Sequence, residues 1–166
     1  MGTKLVLWEL DLALLRVLRT RFHDPRIERA VAAFSMLGNH SLIWFAGSAL
    51  GALVDRRRSR TYLRAIRVVA GAEATNAIVK LVVGRRRPEL DGLPPLATTM
   101  LNRSWPSAHA TCSFAAARVL GRALPTVPVY LLATGLALSR PYLGVHYPSD
   151  TVAGAALGTV IAEVIP

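Results

Sequence analysis

Apolar segments that approach the length of a bilayer crossing alternate along this chain with short, arginine-rich connectors. A crossing of the hydrocarbon core needs about 17–25 largely apolar residues. Five segments come near that, at about residues 30–54, 62–83, 107–124, 125–139 and 149–165. The pattern predicts an all-α fold: an integral membrane bundle of five or six transmembrane helices in one domain over residues 1–166. Composition agrees, since hydrophobic residues make up 52% and charged ones 18%, against roughly 25% charged in an ordinary soluble chain. The last three segments are rich in Ala, Gly and Thr, which lets helices approach closely in lipid. Pro125 and Ser149 stand where helices like to begin. Residues 4–20 are a further helix candidate, with Leu5, Trp8, Leu12 and Leu15 on one face. Glu9 and Asp11 lie near its middle, where charge is costly in a bilayer. That favours an amphipathic helix in the membrane interface over a sixth span. The predicted location is the cell membrane, with several passes.

The formal charge of +10 would suit a nucleic-acid partner, but its distribution does not. The cations sit in short clusters, at 56–58 with Arg60 and at 85–87, and form no stripe along a helix. No nucleic acid is therefore expected. Arginines bordering apolar spans orient a membrane protein, although the clusters on the two sides do not choose between orientations. The single cysteine, Cys112, reads as a small buried hydrophobe. No metal-site spacing surrounds it, and no metal or cofactor is expected. Gly47 to Gly51 and Gly154 to Gly158 each read G-x-x-x-G, which serves packing within the chain or, alternatively, a homodimer face.

Polar residues collect at particular helix ends. The second span ends with Lys80 and runs into Arg85-Arg86-Arg87-Pro88, and the third begins with Pro106-Ser107-Ala108-His109. The fourth ends with Ser139-Arg140, and the fifth begins just after His146, with Asp150 in its first turn. Alternating spans put all these ends on one side of the membrane. Three cations (Lys80, Arg87, Arg140), the Ser107 hydroxyl and two helix N-termini then face one region, which suits a dianionic phosphoryl group. His146 and Asp150 are four residues apart, so the carboxylate can hold one ring nitrogen while the other attacks phosphorus. His109 can protonate the departing oxygen and then activate water.

These segments resemble the three motifs of the type 2 phosphatidic acid phosphatase superfamily, K-x6-RP, PSGH and SR-x5-H-x3-D. They stand here as KLVVGRRRP (80–88), PSAH (106–109) and SRPYLGVHYPSD (139–150). At roughly one in twenty per position from average residue usage, ten matching residues do not arise by chance. The resemblance implies a metal-independent lipid phosphate phosphatase working through a phosphohistidine. It implies His146 as nucleophile, Asp150 as its orienting partner, His109 as general acid, and Lys80, Arg87, Ser107, Ala108 and Arg140 as phosphate-binding positions. Ala108 departs from the usual Gly, which fits a helix that has already begun there. The implied substrates are polyprenyl phosphates or diphosphates, phosphatidic acid and phosphatidylglycerol phosphate. The arginine-heavy, alanine-rich composition resembles small actinobacterial members that act on decaprenyl-phosphoryl-ribose 5-phosphate. Vanadium-dependent haloperoxidases share the motifs but are larger and soluble, and an inactive lipid-binding protein would not need His109, His146 and Asp150 together.

Other polar residues read as support. Glu73, Asn76 and Lys80 form a stripe toward the bundle interior. Asn39 and His40 read as a buried polar pair with a packing role or, alternatively, a substrate contact, and His23 as a surface residue of a connector. Arg85 and Arg86 read as a solvated basic loop or, alternatively, as weaker candidates of which one touches the lipid phosphate. Trp105 and Tyr147 serve as interface anchors or shape the pocket.

Overall fold

The computed structural model describes residues 2–21 and 24–166, with side chains from residue 8 onward, so His23 lies outside the described residues. Among these residues seven helices follow in order: α1 (Gly2–Arg21), α2 (Pro25–Met36), α3 (Leu42–Val54), α4 (Ser59–Val83), α5 (Ala108–Leu120), α6 (Thr126–Tyr142) and α7 (Pro148–Val164). A short 3-10 turn precedes α3 and another precedes α4. Two starts follow from local chemistry. The Asp24 side chain caps α2 by accepting from Arg26 N, with Pro25 in the first turn, as helix starts favour. Pro148 opens α7, and the Asp150 carboxylate reaches back to Tyr147 N.

Helix α5 is the axis of the bundle and packs against α4, α6 and α7. Its small residues make this possible: Ala110, Ala115, Ala116 and Ala117 are fully buried. On α7, Gly154 and Gly158 lie directly on the α5 backbone, and a Cβ at Gly158 would collide with Thr111 O. The 154–158 motif thus serves packing within the chain. Gly51 faces the Tyr62 ring across the α3–α4 contact, while Gly47 has open space around it. Far from the polar helix ends, Arg64 Nη2 donates to Ala162 O at 2.7 Å and Ile165 O at 2.9 Å. That satisfies carbonyls left open at the end of α7.

The structure corrects two readings of the spans. The segment at 30–54 is not continuous, since α2 and α3 meet at a 49° bend. Within the break, His40 has φ 50° and Ser41 has φ 53°. Non-glycine residues rarely hold such left-handed backbone without a functional reason. No helix among the described residues is by itself long and apolar enough to cross a membrane, and only the bent α2–α3 pair has that length and composition. Helix α5 has only 13 residues. At a rise of about 1.5 Å per residue, such a helix reaches no more than about 20 Å. Yet the bundle's outer surface is apolar: Leu50, Leu53, Ile78, Val82, Leu131 and Val152 are all exposed.

Helix α1 is also oriented differently from the sequence reading. Trp8 is half exposed, whereas Asp11, Leu15 and Arg19 form the buried stripe. Leu10, Leu14 and Val17 point outward. Two charged residues of the helix, Asp11 and Arg19, are therefore turned inward, while Glu9, Arg16 and Thr20 stay exposed.

Gly158→Ala is expected to destabilise the fold by about 1–3 kcal/mol, because the added methyl meets backbone that cannot yield. Gly47→Ala should stay within about 0.5 kcal/mol. Thermal unfolding of both variants in detergent checks this, and equal losses would show that the α5–α7 contact is not the reason for the motif.

Candidate active site

The polar helix ends converge on one cavity of about 520 Å³. Its walls are the α2–α3 break, the Glu73-Asn76-Lys80 face of α4, loop residues Thr98 to Leu101, and Arg87, Ala108, His109, Arg140 and His146. Loop 84–107 therefore covers the site.

His146 sits between an arginine and a carboxylate. Arg87 Nη1 lies 3.2 Å from His146 Nε2. A guanidinium only donates, so Nε2 presents its lone pair. On the other side His146 Nδ1 lies 3.3 Å from Asp150 Oδ2, which places the ring proton on Nδ1. Both neighbours enforce one tautomer, with the lone pair on Nε2, where it accepts from Arg87. The imidazole is buried, and its pKa is held well below the usual 6.5, by burial first and then by the positive charges of Arg87, Lys80 and Arg140. Arg87 is lowered to about 10, chiefly by burial, and remains a guanidinium at neutral pH.

Arg87 is fixed by donating from Nη1 to Val145 O at 2.6 Å and from Nε to Leu101 O at 2.8 Å. Lys80 ends the polar stripe of α4 and reaches Ser104 O at 3.2 Å and Arg103 O at 3.3 Å. Two of its three donors are thereby used, leaving one for a ligand. Arg140 is buried and donates from Nη1 to Ser35 Oγ at 2.8 Å. Its Nε has no partner among the described residues. A buried N–H on a cavity wall with no acceptor suits an anion in that cavity.

His109 opens α5. Its Nε2 lies 3.0 Å from Ser35 O. A carbonyl can only accept, so Nε2 carries the proton and Nδ1 is left for proton transfer. Close approach of this ring depends on Gly38, where a Cβ would stand 2.6 Å from His109 Cδ2. The last turn of α2 thus supplies the carbonyl, and Gly38 in the break after it the space, that orient His109.

Of the predicted site residues, Lys80, Arg87, Ala108, His109, Arg140 and His146 line the cavity. Asp150 stands directly behind His146, fully buried. The Ser107 hydroxyl is placed differently. It is fully buried, caps α5 at Ala110 N, and does not line the cavity. Ala108 is already helical, as the departure from Gly requires. Asn39 and His40 are not a buried pair, since both are exposed at the cavity wall. Arg85 is not simply solvated: it bonds Asp150 and Asp11, while Arg86 is exposed. Tyr147 is buried against Arg85, whose Cζ lies 3.9 Å from the ring centroid. Sequence reasoning missed Ser35, Gly38 and the partnership of Asp11 with Arg85. Asp11 carried a signal, as a carboxylate in an otherwise apolar helix, but Ser35 carried none.

The chain matches the family described as the PAP2 superfamily over residues 61–166. It is 36% identical over 141 residues to a decaprenylphosphoryl-5-phosphoribose phosphatase of Mycobacterium tuberculosis, covering 85% of this chain and 80% of that one. The fold is similar to a transmembrane PAP2-type phosphatidylglycerolphosphate phosphatase of Bacillus subtilis (TM-score 0.77, 21% identity), covering 96% of this chain and 84% of that one. It is also similar to Aquifex aeolicus LpxE (TM-score 0.78, 23% identity), covering 93% of each chain.

Because burial and three cations oppose its protonation, His146 should stay neutral as pH falls through its ordinary range and take a proton only well below it. Arg87→Gln removes one of those cations, so the proton should bind at higher pH than in the unaltered protein. Histidine ring NMR of the ligand-free protein, assigned by loss of the signal in His146→Ala, measures both. Titration in the ordinary histidine range would contradict the arrangement.

Proposed function

The chain belongs to the PAP2 superfamily and is a phosphatase of lipid-linked phosphates, and we propose that it hydrolyses the phosphate monoester of a polyprenyl-phosphoryl-pentose through a phosphohistidine at His146. The observation that carries this reading is the meeting of Lys80, Arg87 and Arg140 with the Nε2 lone pair of His146 in one cavity.

In this mechanism the three cations bind the equatorial phosphate oxygens, Arg87 and Arg140 through planar forks and Lys80 as a point charge. The N-terminus of α5 at Ala108 adds backbone amides and a positive dipole end. His146 Nε2 attacks phosphorus in line, and the bond from phosphorus to the sugar oxygen breaks. The bound dianion favours the imidazolium of His109, and its Nδ1 proton goes to the departing alkoxide. His109 then takes a proton from water, the resulting hydroxide attacks the phosphohistidine, and inorganic phosphate leaves. Asp150 holds the Nδ1 proton of His146 and balances the positive charge that develops on the ring. Ser107 acts by capping α5 rather than through a hydroxyl contact.

Two observations support a sugar between phosphate and lipid. The M. tuberculosis relative acts, by its name, on a decaprenyl-linked phosphoribose. The cavity also extends well past the cationic cluster to Asn39, His40, Ser41 and Glu73, with Ser41 Oγ donating to Glu73 Oε1 at 2.8 Å. Carboxylate, amide, imidazole and hydroxyl groups match sugar hydroxyls and have no counterpart in a plain acyl glycerol phosphate. The apolar outer surface supports a multi-pass protein of the cell membrane, with the lipid chain left in the bilayer. Among the described residues no group of three His, Cys, Asp or Glu side chains is placed to hold a metal ion.

His146→Ala should abolish phosphate release from decaprenylphosphoryl-5-phosphoribose, a loss of about 10³-fold or more for an enzyme deprived of its nucleophile. Acid-labile, base-stable phosphate should be trapped on the unaltered protein, and EDTA should leave the rate unchanged. Phosphate release by His146→Ala sinks the mechanism. Equal kcat/KM on phosphatidic acid removes the sugar from the assignment.

A further inference from the structure

Behind the His146–Asp150 pair lies a second cluster of charge that the mechanism above does not use. Arg85 stands immediately after α4 and the turn at Gly84, and its guanidinium touches three side chains at once. Nη1 donates to Asp150 Oδ1 at 2.8 Å and to Ser149 Oγ at 2.7 Å, and Nη2 donates to Asp11 Oδ2 at 2.7 Å. The guanidinium also lies over Tyr147, with Cζ 3.9 Å from the ring centroid, and over Trp8 at 5.5 Å. Asp11 comes from the far end of the sequence and is buried. Its Oδ1 accepts from Ser149 N at 2.9 Å, and its Oδ2 also accepts from Ser149 Oγ.

The consequence is specific to Asp150. One of its oxygens faces His146 Nδ1 and Tyr147 N, and the other faces Arg85. Every rotation that would turn the carboxylate away from His146 breaks the bond to Arg85. Asp11 in turn holds Arg85 and caps the first turn of α7, one residue before Asp150. The paths through the guanidinium and through Ser149 start from the same carboxylate on α1 and end at the same carboxylate on α7. A partly buried guanidinium between two buried carboxylates links them, and removing it leaves both carboxylates buried without their counterion. The family match begins at residue 61 and does not include α1.

We propose that Asp11 and Arg85 are positioning residues, which fix Asp150 and through it the reactive tautomer of His146, so that α1 belongs to the catalytic apparatus. This rests on the reading of His146 as nucleophile. Arg85 does not line the cavity, so its loss should slow the chemical step without weakening phosphate binding.

The test uses the full chain in detergent with decaprenylphosphoryl-5-phosphoribose as probe. Misplacing a reacting group by about an ångström lowers a rate by up to about 10²-fold. Arg85→Ala should therefore lose about ten- to a hundredfold in kcat, with KM changed by less than about threefold. Guanidinium ion in the millimolar range should restore part of the Arg85→Ala rate and none of the His146→Ala rate. Asp11→Asn and Arg85→Lys should show smaller kcat losses at unchanged KM, and they carry the test should Arg85→Ala not fold. A rate unchanged in the folded variants, or a raised KM at unchanged kcat, overturns the proposal while His146→Ala remains inactive. Activity in His146→Ala overturns the underlying reading instead.

Discussion

The position of one proton on His146 governs the rest of the site. Nε2 offers a lone pair to the cavity because Arg87 donates toward it and Asp150 holds the opposite nitrogen. A histidine in water divides its proton between two nitrogens and is partly charged near neutral pH. Here burial and nearby cations exclude the charged form, and the two neighbours choose the tautomer. Neither neighbour can do this unless it is fixed. Arg87 is held by the carbonyls of Val145 and Leu101, and Asp150 by Tyr147 N and Arg85. Those bonds draw on loop 84–107, the turn after α6 and the start of α7, so the fold must bring all three together.

The site also concentrates charge in a way that opposes folding. Lys80, Arg87 and Arg140 surround a cavity in which Glu73 is the sole carboxylate on the described walls, and Glu73 is engaged by Ser41. Like charges brought together and desolvated are unfavourable. The protein offsets this with carbonyl acceptors on Lys80 and Arg87 and with the Ser35 hydroxyl on Arg140. One Arg140 N–H still has no partner among the described residues. In the proposed reaction the entering dianion relieves that remainder, as in other preorganised electrostatic sites.

How much of this was readable in advance depends on distance along the chain. The motif residues were legible because each group lies within a few residues of a helix end. Alternation of apolar segments then placed the ends together without coordinates. Asp150 was legible as the partner of His146 because i, i+4 spacing is local. The α2–α3 break was not, because the apolar residues on either side of Gly38-Asn39-His40-Ser41 add up to the length of one span, which hid the turn chemistry of those four residues. Ser35 and Gly38 act on His109 from far along the chain, and neither has an unusual sequence neighbourhood. Asp11 was visible as an anomaly whose charge counted against a bilayer span. Its partner was not visible, because Arg85 lies 74 residues on.

The brevity of α5 explains why the catalytic groups are covered rather than displayed. This helix is surrounded by α4, α6 and α7, all longer, and it begins at Ala108 beneath the loop that carries Arg87 and Leu101. Ala108 and His109, at its start, line the cavity. A helix N-terminus buried without partners is unfavourable unless an anion or a cap satisfies it. Ser107 caps Ala110 N, and Ser107 N donates to Asp150 O at 3.0 Å, so the start of α5 is pinned to the start of α7. The small residues at 154 and 158 allow the two helices to lie close enough for that bond. Packing at the middle of the bundle therefore sets the distance between His109 on one helix and His146 before the other. The same glycines that make the pair compact thereby set the geometry on which the proposed two-histidine reaction depends.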